Sequence, residues 1–132
     1  MSSRQAILKA YRALFRSGLR ACKYQSLARV QLRDILRGAF RDSPWTALDS
    51  RRIENTLEFL ERAGRYNGME HKIVKNILFV RWWRMRPLSK GLHKATIGQQ
   101  TRQSTSIRKE VYQHYDATIA MLNESQQLCL SM

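Results

Sequence analysis

The stretch "ILKAYRALFRSGLR", residues 7–20, sets apolar and basic side chains at helical rather than strand spacing. Ile7, Tyr11, Leu14, Phe15, Leu19 and Cys22 recur at steps of three and four, the period that gathers residues on one face of a helix. Arg4, Lys9, Arg12, Arg16, Arg20 and Lys23 fall largely beside or opposite that stripe. A helix divided in this way buries one face against apolar neighbours and offers the other to water or to anions.

Working outward, a second helical stripe runs through Leu27, Val30 or Gln31, Ile35, Leu36 and Phe40, with Arg29, Arg33, Arg37 and Arg41 repeating every four residues along one side. Four like charges in a row repel one another, so the row is expected to face an anion. Asp42 to Trp45 reads as a turn, because Pro44 cannot continue a helix. Asp49 is then a candidate N-cap for a third helix that turns Ile53, Leu57 and Leu60 inward, with Gly64 and Gly68 at its end. A fourth helix is expected from about Met69 to Arg84, and a last one capped by Ser106, with Ile107, Val111, Tyr115, Ile119 and Leu122 on one face. No strand alternation and no internal repeat is visible. The spacing predicts an all-α chain: a helical domain over 1–86, a basic polar linker over 87–106 and a C-terminal helix over 107–132.

The charge of +14 on 132 residues is distributed in blocks. Residues 1–41 hold ten Lys or Arg against one acid, and residues 69–102 hold eight against one, whereas 42–68 and 103–132 are each close to neutral. Clustered cations of this density call for an anionic partner. The first 33 residues carry eight basic side chains and no acid, the composition of a mitochondrial targeting helix. Because the apolar pattern continues beyond any cleavage point, the N-terminus is expected to be import-competent and retained, and the chain to reside in the mitochondrial matrix.

Catalytic constellations are not evident. His71, His93 and His114 are scattered among polar neighbours and read as surface residues, and neither GxxxxGK nor GxSxG occurs. Cys22 and Cys129 have no metal-ligand spacing and read as buried thiols. Neither an enzyme nor a metalloprotein is expected. What stands out instead is "RWWRMR" at 81–86. Arg81, Trp82, Trp83, Arg84, Arg86 and the following Lys90 are candidates for an RNA or assembly contact, since guanidinium forks fit phosphate oxygens and indole faces stack on bases. Equally open is a structural reading, in which a tryptophan closes the core and the arginines complement the helix C-terminus.

The segment "AYRALFR" (10–16) resembles the Leu-Tyr-Arg-x-Leu-Leu-Arg signature of the LYR-motif proteins, small mitochondrial three-helix adaptors, with Ala10 in place of the usual leucine. "LRGAFR" (36–41) is similar to the family's downstream arginine-phenylalanine-arginine segment, and "RIENTLEFLERA" (52–63) to its third helix. The likeness covers residues 4 to 63, and the rest looks like an uncharacterised fungal branch.

The resemblance implies an antiparallel LYR-like three-helix bundle, here extended by one or two C-terminal helices, and a non-catalytic role. It implies docking of the mitochondrial acyl carrier protein on Arg4, Tyr11, Arg12, Arg16, Arg37 and Arg41. The carrier's acyl-phosphopantetheine would enter an apolar tunnel lined by Leu14, Phe15, Phe40 and Leu57. No cofactor of the chain's own is implied. The expected client is a larger mitochondrial assembly, either the ribosome or its assembly intermediate through the second basic block, or a respiratory complex or the iron–sulfur cluster machinery.

Overall fold

The computed structural model describes residues 3–42, 49–85 and 102–130. These form five helices, α1 (Ser3–Ala21), α2 (Ser26–Asp42), α3 (Ser50–Arg65), α4 (Met69–Met85) and α5 (Arg102–Gln126), with no strand among the described residues. The architecture is all-α, as the sequence predicts. The Pro44 turn and most of the expected linker lie outside the described residues.

α1 ends abruptly because Lys23 and Tyr24 adopt φ of 52° and 58°, the left-handed conformation that reverses the chain. The Tyr24 N–H donates to Leu19 O at 3.0 Å and the Lys23 N–H to Arg20 O at 3.1 Å, which satisfies carbonyls the helix would otherwise leave open. α2 therefore runs back along α1, bringing Phe40 edge-on to Tyr11 with ring centroids 5.4 Å apart. α3 starts where the sequence places its cap: Asp49 Oδ1 accepts from the N–H groups of Arg51 and Arg52 at 3.0 and 3.3 Å.

α1 packs against α2 and α3, and α4 packs against the same two, so these four helices surround the core, which Ile119 of α5 also enters. Small residues set how closely they approach. Ala21 and Ala63 are fully buried, and a Cβ on Gly64 would lie 3.4 Å from the Arg20 backbone. Gly64 lies in the last turn of α3, at the end the sequence places there, and serves the close approach of α1. The tips of Leu32 sit over bare backbone at Gly18, where a Cβ would come within 2.7 Å.

That seat fixes the rotation of α2 and corrects the predicted stripe. With Leu32 and Ile35 buried and Ala28 packed against them, Leu27 and Val30 turn outward, 62% and 43% exposed. In α5 the first turns lie off the core: Ile107 and Val111 are exposed, and burial begins near Tyr115 and Ile119. The helix starts at Arg102, ahead of the predicted Ser106 cap, since no proline or glycine interrupts 102–106. At the end of the bundle holding the α1–α2 and α3–α4 turns, His71 Nδ1 donates to Ala21 O at 3.0 Å and Lys23 Nζ donates to Asn67 Oδ1 at 2.6 Å. His71 is thus half-buried and caps α1 rather than lying on the surface.

Candidate functional site

Between the helices lies a cavity of about 560 Å³. Ile7 and Leu14 of α1, Leu32, Ile35, Leu36, Ala39 and Phe40 of α2, Ile53 and Leu60 of α3, and Val74, Ile77 and Leu78 of α4 line it. Protein interiors rarely leave voids larger than a water molecule, whereas ligand pockets run from roughly 300 to 1,000 Å³. An unfilled apolar space deprives its walls of dispersion contacts, which an apolar guest would restore. At one end the lining becomes polar, with Asp42, Asp49, Arg52, Thr56 and Asn123 around it. There the Arg52 guanidinium lies 3.6 Å from Asp49 and 3.3 Å from Glu124.

Of the residues expected to line a tunnel, Leu14 and Phe40 do so, while Phe15 and Leu57 pack against the core without facing the cavity. Tyr11 stacks on Phe15 at 6.3 Å with planes 4° apart, so the three aromatic rings form the seam between α1 and α2.

The basic residues lie outside that seam. Arg4, Arg12, Arg16, Arg37 and Arg41 are all exposed, and among the described residues none of the five has a carboxylate in ion-pair range. Arg33 in the same row reaches Asp34 at 3.5 Å. Arg12 and Arg16 are one turn apart on α1, as are Arg37 and Arg41 on α2. The antiparallel register that joins Tyr11 to Phe40 sets Arg12 and Arg41 within a turn of each other across the seam. Arg4 stands two turns before Tyr11, on its flank of α1 rather than with Arg12 and Arg16.

The second basic cluster is arranged differently. Arg84 donates through Nη1 and Nη2 to Asp116 Oδ1 and Oδ2 at 2.9 and 3.0 Å and lies 4.8 Å from the Tyr112 ring centroid. The hydrogen bonds to Asp116 raise its pKa, so Arg84 stitches α4 to α5 and its charge is compensated. Arg81 is half-buried and its Nε is without a hydrogen-bond partner among the described residues. Trp82 is half-buried and meets Trp83 edge-on at 5.0 Å; Trp83, 47% exposed, also meets Phe79 at 6.1 Å. Arg86 and Lys90 lie outside the described residues.

The polar frame at the cavity mouth escaped the sequence reading. Thr56 is buried and donates to Arg52 O at 2.7 Å, and its Oγ1 lies 3.1 Å from Cys129 Sγ. Cys129 is therefore an exposed thiol at the mouth, not a buried one, because its chain segment lies over α3 instead of inside the bundle. Cys22 is buried, and burial pushes its thiol pKa up, which keeps it protonated and inert. Among the described residues there is no cluster able to hold a metal ion and no helix long and apolar enough to cross a membrane.

No family model matches the chain, and no solved structure matches it. It is 33% identical over 89 residues to a UPF0593 mitochondrial protein of Schizosaccharomyces pombe, across 66% of this chain and 71% of the relative.

Proposed function

The chain belongs to the UPF0593 family, whose Schizosaccharomyces pombe member is named a mitochondrial protein, and we propose that it is a non-catalytic adaptor of the mitochondrial matrix that binds acyl carrier protein. The observation that carries this reading is the pairing of a 560 Å³ apolar cavity with arginines that have no carboxylate partner among the described residues, on the two helices that form one of its walls. Acidic residues of a carrier would meet Arg12, Arg16, Arg37 and Arg41, and the acyl chain on its phosphopantetheine would fill the cavity. The similarity of residues 10–16, 36–41 and 52–63 to LYR-motif proteins supports the same assignment.

The adaptor would then dock the carrier on a larger assembly through the second basic block. Seven net positive charges over 69–102 exceed what one small carrier should neutralise, which favours the mitochondrial ribosome or its assembly intermediate. A respiratory complex or the iron–sulfur machinery is the second reading, and the exposed Phe79 and Trp83 favour it, being better suited to a protein surface than to phosphates. Affinity capture of the full chain from mitochondria with intact-mass analysis tests the proposal. A co-eluting carrier bearing an acylated phosphopantetheine is expected, and its absence at physiological salt rejects the reading.

A further inference from the structure

The mouth of the cavity is held by the chain itself. After α5 the backbone turns at Gln127, with φ of 51°, and the Leu128 N–H donates back to Asn123 O at 2.9 Å. Leu128 is 3% exposed, and both Leu128 and Leu130 line the cavity. Polar side chains of α3 and α5 clamp this segment. Asn55 Nδ2 donates to Gln127 O at 3.2 Å, the Cys129 N–H donates to Thr56 Oγ1 at 3.0 Å, and Arg52 Nη1 reaches Leu128 O at 3.5 Å. Asn123 holds Leu130 on both backbone groups, donating to its carbonyl at 2.8 Å and accepting from its N–H at 3.0 Å.

We propose that residues 127–130 are a tethered plug: Leu128 and Leu130 occupy the cavity mouth in the unliganded protein, and a long apolar chain must displace them to enter. The inference rests on the cavity being the acyl site and adds how that site is regulated. The bonds that hold the plug are half-buried except for the exposed one from Asn55, and because water reaches both partners once the segment leaves, each contributes only modestly to the net. Its grip on the core comes from two leucines, whereas an acyl chain filling the cavity buries more apolar surface. The two leucines also cover part of the apolar lining when no guest is present. Displacing it frees Arg52 from Leu128 O, while Asp49 and Glu124, which stay with α3 and α5, continue to hold the guanidinium in place.

The chain offers its own lock for a test. Thr56→Cys would put a second thiol where Oγ1 now lies, 3.1 Å from Cys129 Sγ. Mild oxidation with oxidised glutathione should join the two, releasing both glutathione thiols, verified by an intact mass that shows loss of the two thiol hydrogens and no glutathione adduct, and dithiothreitol should release them. The probe is cis-parinaric acid, a fluorescent fatty acid, titrated against the full chain. If the plug covers the site in about nine of ten molecules, freeing it by Leu128→Ser with Leu130→Ser should tighten apparent binding roughly tenfold. The oxidised Thr56→Cys protein should bind at least tenfold more weakly than the same protein reduced, while wild type treated identically should not change. Equal binding by locked and released protein overturns the plug and leaves the cavity reading intact. No binding in any state overturns both.

Discussion

At the scale of single residues, the most informative contact is the one between Gly18 and Leu32. Alanine at a helical glycine ordinarily gains about 0.5 to 1 kcal/mol, while overpacking a core costs about 1 to 3 kcal/mol. At Gly18 the new Cβ would meet only the branched tip of Leu32, at 2.7 and 2.8 Å, and Leu32 borders the cavity into which it can turn. Gly18→Ala should thus leave stability within about 1 kcal/mol of wild type in urea unfolding, yet weaken cis-parinaric acid binding several-fold by filling the cavity. A loss of stability with binding unchanged would show that Leu32 cannot turn. Tyr115 supplies a pH prediction. Its hydroxyl is buried without a partner among the described residues, and desolvation raises its pKa, as burial does for Cys22. Both groups are therefore neutral in the fold at pH values where the unfolded chain ionises. Their stabilising contribution is complete below the ordinary values of 9.0 and 10.0 and is lost as pH rises through the raised folded ones. Unfolding free energy should fall from about pH 9 upward. Tyr115→Phe should flatten that decline and cost little at neutral pH, since no hydrogen bond is removed.

Elements differ in how openly the sequence announces them. α1 and α3 are legible because Leu14, Leu60 and their neighbours keep the helical period and because Asp49 marks a start. The first turns of α2 are misread, since Leu27 and Val30 are as apolar as Ala28 and Leu32 and only the fit of Leu32 over Gly18 decides between them, whereas Ile35, Leu36 and Phe40 lie inward as the stripe predicts. α4 buries Val74, Ile77 and Leu78 while exposing Phe79 and Trp83, so periodicity alone does not tell its faces apart. The candidate arginines are legible as charges, but their pairing is not: Arg84 and Asp116 stand 32 residues apart in sequence, beyond any local pattern. Nor is the cavity legible, because a void depends on the distances between helices, here set by Ala21, Ala63, Gly18 and Gly64. The Arg84–Asp116 pair has its own consequence. It is about a third exposed on both sides, so screening limits its worth, and Asp116→Asn should cost only about 0.5 to 1 kcal/mol globally. Hydrogen exchange should nevertheless quicken selectively in α5, which meets the bundle through few side chains. Uniform quickening across all helices would mean that α5 unfolds only with the whole.

For the whole molecule, the question is whether its two basic regions serve one partner or two. Arg12 and Arg41 lie within a turn of each other across the α1–α2 seam and lack carboxylates among the described residues, whereas Arg84 is already neutralised within the fold. The proposed carrier face is therefore α1 and α2, and Arg12→Glu with Arg41→Glu should abolish carrier co-purification while leaving helical circular dichroism unchanged, both side chains being exposed. Retained carrier would rule out that face. The assembly contact should answer to a separate set. If its partner is RNA, each phosphate neutralised adds nearly one unit to the slope of log affinity against log salt. Arg81, Arg86 and Lys90 replaced together should then flatten the slope by about two to three units, and adding an Arg84 replacement should change it little, because that guanidinium is spent on Asp116. Carrier binding should survive the triple change. Co-sedimentation with ribosomes, measured with and without RNase across a salt series, reads both quantities. A slope unmoved by the triple change, with association lost instead on Phe79→Ala and Trp83→Ala, would transfer the client from RNA to a protein surface and put a respiratory complex or the iron–sulfur machinery in its place.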